Sequence, residues 1–130
     1  MNGFFDTNVL IYATAGDPDR MQAARDRLLD GGVISTQVLN EFVSVSRGKL
    51  KRSWTDIESA LALIRAMKLT ILPVTLKVHE RGFGLARDHN LHIYDAMIVA
   101  AALESMCSVL WTEALSDGQR FGALTIRNPF

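Results

Sequence analysis

Gly3-Phe4-Phe5-Asp6-Thr7-Asn8-Val9-Leu10-Ile11-Tyr12-Ala13 opens the chain with a short apolar run, an acid at its end, and a longer apolar run beyond it. Gly3 to Asp6 reads as a strand and Asn8 to Ala13 as a short helix. The same alternation continues. Asp17 and Pro18 supply an N-cap and a first-turn proline for a helix from Arg20 to Leu29, which Asp30-Gly31-Gly32 closes. Val33-Ile34-Ser35 reads as a second strand leading into a helix from Gln37 to about Ser46, broken at Arg47-Gly48-Lys49. Thr55-Asp56-Ile57-Glu58 has capping-box spacing and opens a helix to Lys68, and Leu69 to Pro73 follows as a strand. Thr75 starts a helix that runs to about His89 and is weakened by Gly82 and Gly84. An apolar helix from about Tyr94 to Met106, a strand from Ser108 to Trp111 and a last strand from Ala123 to Ile126 complete the chain. Short strands joined by helices are the pattern of a parallel sheet with crossover connections, so the expected class is α/β.

With 130 residues, 48% of them hydrophobic, the chain can bury a core without disulfide or metal staples, and a single domain over residues 1–130 is expected. No linker or repeat interrupts it: Pro18, Pro73 and Pro129 all fall at element edges. The lone cysteine, Cys107, excludes an internal disulfide framework and lies in Met106-Cys107-Ser108-Val109-Leu110, which reads as buried strand. No run approaches the roughly 18 apolar residues of a membrane span, and the first residues carry no charged leader. A cytoplasmic protein without a membrane association is expected. Fourteen Lys and Arg balance fourteen Asp and Glu, so affinity for a polyanion has to come from local patches.

Three acids stand out by position. Asp6 ends the first strand, and in open parallel sheets the carboxyl ends of the strands form the ligand crevice; the same residue is also a good N-cap for the next helix. Asp95 sits in Ile93-Tyr94-Asp95-Ala96-Met97-Ile98-Val99-Ala100-Ala101-Ala102-Leu103, a helix apolar on every side. At roughly 100° per residue it shares a face with Val99, Ala102 and Met106, so its charge requires a cation, strong hydrogen bonds or protonation unless it caps the helix. Glu41 lies in Gln37-Val38-Leu39-Asn40-Glu41-Phe42-Val43, about 40° outside the apolar arc, at the rim of the core. Alone it reads as a boundary glutamate; together the three acids have the makings of a hard-cation site with oxygen ligands.

Rival chemistries leave no trace. There is no Cys/His pair at zinc spacing, no glycine-rich phosphate loop and no Gly-x-Ser-x-Gly elbow, and His79, His89 and His92 are scattered. The one dense basic run, Arg47, Lys49, Lys51 and Arg52, reads as a solvated loop at a helix end, and is the first candidate for a phosphate contact if the crevice is a nuclease site.

Five segments in order carry a family resemblance: Phe5-Asp6-Thr7-Asn8-Val9-Leu10-Ile11-Tyr12, Val38-Leu39-Asn40-Glu41-Phe42, Tyr94-Asp95-Ala96-Met97-Ile98-Val99-Ala100-Ala101-Ala102, Leu110-Trp111-Thr112-Glu113 and Thr125-Ile126-Arg127-Asn128-Pro129-Phe130. Along its whole length the chain resembles the PIN-domain nucleases, in particular the VapC-type toxins of bacterial toxin–antitoxin pairs. The resemblance implies a three-layer α/β/α sandwich with a parallel central sheet and a ribonuclease acting on single-stranded or structured RNA. It implies Mg²⁺ or Mn²⁺ held by Asp6 and Asp95, Glu41 completing the cluster, Asn8 and Thr112 holding the acids and the attacking water, a homodimer, and a silencing antitoxin.

One position departs from the pattern. The family usually carries a fourth acid two residues after the threonine that ends the fourth strand, where this chain has Ala114. Asp117, one helical turn onward, is expected to substitute partly through a water, while Glu113 beside the gap reads as a surface acid. Two other functions compete: a non-catalytic RNA or protein interaction module of the same fold, supported by Ala114, and a phosphohydrolase with Asp6 as covalent nucleophile. The second lacks its usual second acid, since Asp6-Thr7-Asn8 carries an amide there.

Overall fold

The computed structural model describes residues 2–130. Strands and helices alternate as the sequence pattern requires: β1 (Gly3–Phe5), α1 (Thr7–Thr14), α2 (Pro18–Leu28), β2 (Gly32–Ser35), α3 (Thr36–Gly48), α4 (Trp54–Ala66), β3 (Leu69–Leu72), α5 (Leu76–His89), α6 (Ile93–Glu104), β4 (Val109–Trp111), β5 (Arg120–Phe121) and β6 (Leu124–Arg127). Local chemistry sets most helix starts. Asp17 accepts the Arg20 N–H at 3.0 Å, with Pro18 in the first turn of α2, and Thr75 accepts the Val78 N–H at 3.1 Å to open α5.

Several boundaries correct the sequence reading. Helix α4 is capped by Ser53, whose Oγ accepts the Asp56 N–H at 3.1 Å, so Thr55 lies inside the helix. Helix α6 is capped by the His92 ring, Nδ1 accepting the Tyr94 N–H at 3.2 Å, which leaves Asp95 free of any capping role. That helix ends at Glu104, because Met106 takes a left-handed φ of 61°. Met106 is 86% exposed, so it is neither helix nor buried strand, whereas Cys107 is buried as expected. Strand β5 escapes a reading based on apolar runs because it has only two residues.

The strand order is β3-β2-β1-β4-β6-β5. All pairs are parallel except β5 with β6, an antiparallel hairpin turned by Gly122 at φ 60° and Ala123. Chain order runs outward from β1 to β3 and then jumps back to β4 on the other side of β1. With right-handed crossovers, α1 to α4 cover one face and α5 with α6 the other, giving the three-layer α/β/α sandwich. The contacts agree: α1 packs on α2 and α3, α3 on α4, and α5 on α6. Helix α6 also touches β2 and β4, and every residue from Ala96 to Ala102 is buried. This central placement explains a helix apolar all round.

Two glycines in α5 differ in their reason for being there. A Cβ on Gly82 would lie 2.6 Å from Met97 Sδ and 3.3 Å from its Cα, so Gly82 lets α5 approach α6 closely. At Gly84 the nearest atom would be 3.8 Å away, and only helix propensity is lost. Gly32, at the start of β2, has φ 153°, and a Cβ there would stand 2.4 Å from the Gly3 carbonyl oxygen of the neighbouring strand. Gly84→Ala is therefore expected to stabilise the protein by up to about 1 kcal/mol, and Gly32→Ala to destabilise it by about 2 kcal/mol or more. Urea unfolding of the two variants checks this; a Gly32→Ala protein as stable as the parent contradicts the close strand approach.

Candidate functional site

The site starts from a strand register. Phe5 of β1 pairs with Trp111 of β4, so Asp6 and Thr112, the next residues of each strand, stand side by side at the carboxyl edge of the sheet. Backbone bonds fix both: Asp6 N donates to Trp111 O and Thr112 N to Arg127 O, each at 3.0 Å. This is also where the strand order reverses, the position at which open α/β sheets leave a crevice.

Asp6 is buried, and three donors hold its carboxylate. Oδ1 accepts the Thr7 N–H at 2.6 Å, while Oδ2 accepts the Thr112 hydroxyl at 2.8 Å and, more weakly, the Asn8 amide at 3.5 Å. The same Thr112 oxygen accepts from Asn8 Nδ2 at 3.0 Å and from Ala114 N at 2.9 Å, and Asn8 Oδ1 accepts the Glu113 N–H at 3.3 Å. Asn8 and Thr112 thus form the brace under Asp6, and Asp6 both caps α1 and faces the crevice. No second acid stands next to Asp6 in the position that a covalent phosphohydrolase would use, since Asn8 is committed to the brace.

Asp6, Glu41 and Asp95 line one open cleft of about 630 Å³. Strands β1 and β2 deliver α1 and α3 at this edge, and the crossover from β3 brings α6 back with its first turn here. Asp95 therefore lies in the first turn of α6, and Glu41 faces in from the second turn of α3 with Oε2 accepting the Gln37 amide at 3.3 Å. Both are half-buried. Among the described residues none of the three acids forms an ion pair.

The electrostatics follow from burial without relief. Desolvation raises the Asp6 pKa above its ordinary value; the Thr112 and Thr7 bonds oppose this, and repulsion from Asp95 adds to it. Desolvation raises Asp95 as well, with His92 pulling the other way. Glu41 is pushed up to about 7, first by desolvation and then by Asp6, with a further push from Asp95. The Thr7 hydroxyl, buried on the cleft wall, has no hydrogen-bond partner. Carboxylates without a cationic partner around one space form a donor set that fits a hard divalent cation. Among the described residues no three His, Cys, Asp or Glu side chains stand close enough to enclose an ion directly. The fit is to a cation that keeps several of its waters, as Mg²⁺ commonly does.

The rest of the wall departs from the sequence reading in places. Ala114 lines the cleft, where the resemblance puts a fourth acid. Asp117 does not: no helix follows β4, and Asp117 Oδ1 instead accepts the Asn128 N–H at 2.8 Å in the turn before β5. Glu113 lines the cleft and is bound by Arg20 at 2.8 Å, whose guanidinium lies 5.0 Å from the Tyr12 ring centre and 5.3 Å from that of Phe130. Sequence reasoning missed this group; its one sequence-level sign is an arginine in the first turn of α2, where the helix dipole disfavours a cation. Of the basic run, Lys49 and Arg52 line the cleft, while Arg47 stacks 4.7 Å from the Trp54 ring centre.

Comparison with known proteins matches the PIN domain family over residues 3–114. No curated protein matches the sequence significantly. Among solved structures, a toxin-antitoxin complex from Klebsiella pneumoniae is similar with a TM-score of 0.75 and 22% identity, covering 99% of this chain and 98% of that one. VapBC2 from Rickettsia felis, bound to a DNA fragment from its promoter, gives 0.71 and 23% over 98% of both chains. Mycobacterium tuberculosis VapC20, described as a Sarcin-Ricin loop cleaving toxin, gives 0.70 and 19% over 84% of this chain and 87% of that one. At these identities the likeness is one of fold.

Glu41 makes the electrostatics testable without any ligand. Its folded pKa of about 7 lies above the ordinary 4.5. Between these values the folded state keeps a proton that the unfolded state has lost, so the stability of the cation-free protein falls as pH rises through that window. Glu41→Gln removes this cost. In EDTA its melting temperature is expected to exceed that of the parent at pH 8, the gap closing by about pH 5. An equal gap at both pH values refutes the assignment.

Proposed function

Since the chain belongs to the PIN domain family, we propose that it is a metal-dependent endoribonuclease, the toxin of a toxin–antitoxin pair, hydrolysing RNA phosphodiester bonds. The observation that carries this reading is the convergence of Asp6, Glu41 and Asp95, all without a cationic partner among the described residues, on one cleft at the sheet's switch point. The description of VapC20 as a loop-cleaving toxin is in keeping with it.

Asp6 and Asp95 are the residues to hold Mg²⁺ or Mn²⁺, with Glu41 completing the cluster. When bound, such an ion supplies charge neutralisation at the phosphodiester and a water of lowered pKa. The chain's own contribution is orientation. Thr112 donates to the Asp6 carboxylate and Asn8 to Thr112, and bonds of this kind behind a ligand keep it in one geometry. Glu41, ionised above about pH 7 in the cation-free protein, can take up a proton from the attacking water.

The partners belong to the same reading: an RNA substrate, a cognate antitoxin, a second copy of the chain in a homodimer, and a cytoplasmic setting. The toxin–antitoxin descriptions of the Klebsiella and Rickettsia structures support the antitoxin. Among the described residues no helix is long and apolar enough to cross a membrane.

Ala114 favours one competing reading, a PIN-fold interaction module that has lost its activity. The two separate on cleavage of RNA with Mg²⁺ or Mn²⁺. The nuclease reading expects cation-dependent cleavage, lowered about a hundredfold or more by Asp95→Asn, and strengthened cation binding in Ala114→Asp. Thr112→Val is expected to cost about 10 to 100-fold in Mn²⁺ affinity by calorimetry. Absence of cleavage in the parent and in Ala114→Asp alike favours the interaction module.

A further inference from the structure

The acids occupy one part of the cleft and a different chemistry occupies its far end. Glu41, Val45 and Lys49 follow one another at four-residue spacing along α3 and all line the cleft. One face of this helix thus runs from an acid to a cation about 12 Å further along its axis. Beyond the helix, Arg52 lines the cleft too, its NH1 donating to the Thr14 hydroxyl at 3.1 Å and its guanidinium 5.8 Å from the Phe42 ring centre. Neither Lys49 nor Arg52 meets a carboxylate among the described residues. A bland account makes Lys49 a complement to the α3 dipole, but Arg52 lies past that helix end and turns back over the cleft.

A third feature adjoins these cations. Trp54, the first residue of α4, is 59% exposed, and the Arg47 guanidinium covers it at 4.7 Å. Arg47 NH1 also donates to the Arg52 carbonyl at 3.2 Å, which ties the indole to the cleft's basic end. Cations that hold no carboxylate, next to a large exposed aromatic ring fixed in place, are the two elements of a single-strand binding track.

We propose that the segment from Lys49 to Trp54 is the substrate rail of the cleft, Lys49 and Arg52 taking backbone phosphates of single-stranded RNA and Trp54 stacking one unpaired base. This rests on the ribonuclease reading and narrows it to substrates with unstacked bases at this end of the cleft. The separation of acids from cations gives the strand a direction: the phosphate to be cut lies over Asp6 and Asp95, and the flanking nucleotides run along α3 toward Arg52.

Fluorescence anisotropy with a labelled single-stranded oligoribonucleotide, in EDTA so that it stays intact, tests the rail. The Lys49→Ala/Arg52→Ala double variant is expected to bind at least tenfold more weakly, with the slope of log affinity against log salt smaller by about 1.4. Trp54→Ala is expected to weaken binding about tenfold with that slope unchanged, Trp54→Phe to keep most of the affinity, and a duplex of the same sequence to be indifferent to Trp54. Lys49 and Trp54 are exposed and Arg52 is half-buried, and melting temperatures equal to that of the parent show that the fold is kept. A parent that binds RNA while the double variant keeps its affinity and slope overturns the rail alone. If only Trp54→Ala leaves affinity unchanged, base stacking is overturned and Trp54 belongs to a protein contact. A parent that binds no RNA in EDTA overturns the rail, while cleavage with Mg²⁺ or Mn²⁺ decides the ribonuclease reading separately.

Discussion

Phe5 and Trp111 lie side by side in a parallel ladder, and the residue after each is therefore held beside the other. From that register come the Thr112 bond to Asp6, the Asn8 brace and the position of the Ala114 N–H, which donates to the same Thr112 oxygen. A slip of one residue would turn Asp6 to the opposite face of the sheet and leave a buried acid without donors. The buried, bonded Asp6 and the central strand pair are thus one constraint seen from two sides.

Around Asp6 the fold gathers charge that it does not neutralise. Glu41 and Asp95 are half-buried near the buried Asp6, and burial outweighs the hydrogen bonds that favour ionisation. Helix geometry offers partial compensation. Asp95 lies in the first turn of α6 and Asp6 caps α1, both at the positive ends of helix dipoles. Perturbed acids of this kind cluster where proteins bind or react.

Different side chains occupy the remainder of the cleft wall. Arg20 is held between Tyr12 and Phe130 and bound to Glu113, so the acid next to Ala114 is already engaged by a cation. Asp117 is engaged with the backbone of Asn128. Neither acid therefore stands where a fourth carboxylate would complete the cluster, and the cleft's free acids are three: Asp6 at the end of β1, Glu41 of α3 and Asp95 of α6.

Features that depend on a few neighbouring residues were legible in the sequence. The Asp17-Pro18 start of α2, the Thr75 cap, the buried α6 and the alternation that makes the fold α/β all rest on capping bonds and apolar periodicity within a turn or two. Where two local solutions compete, local rules chose wrongly: Ser53 caps α4 although Thr55 has the capping-box spacing, and Met106 leaves the helix because its backbone turns left-handed. The positions of Asp6, Glu41 and Asp95 at a strand end, a core rim and a helix start could also be read off, since burial pattern and element edges are local properties. Their meeting was implied only by the family resemblance and followed from no local pattern. Asn8 and Thr112 are 104 residues apart and Arg20 and Glu113 are 93 apart. Contacts at that range are decided by strand order, register and the face on which each crossover helix packs, and no short stretch of sequence specifies those.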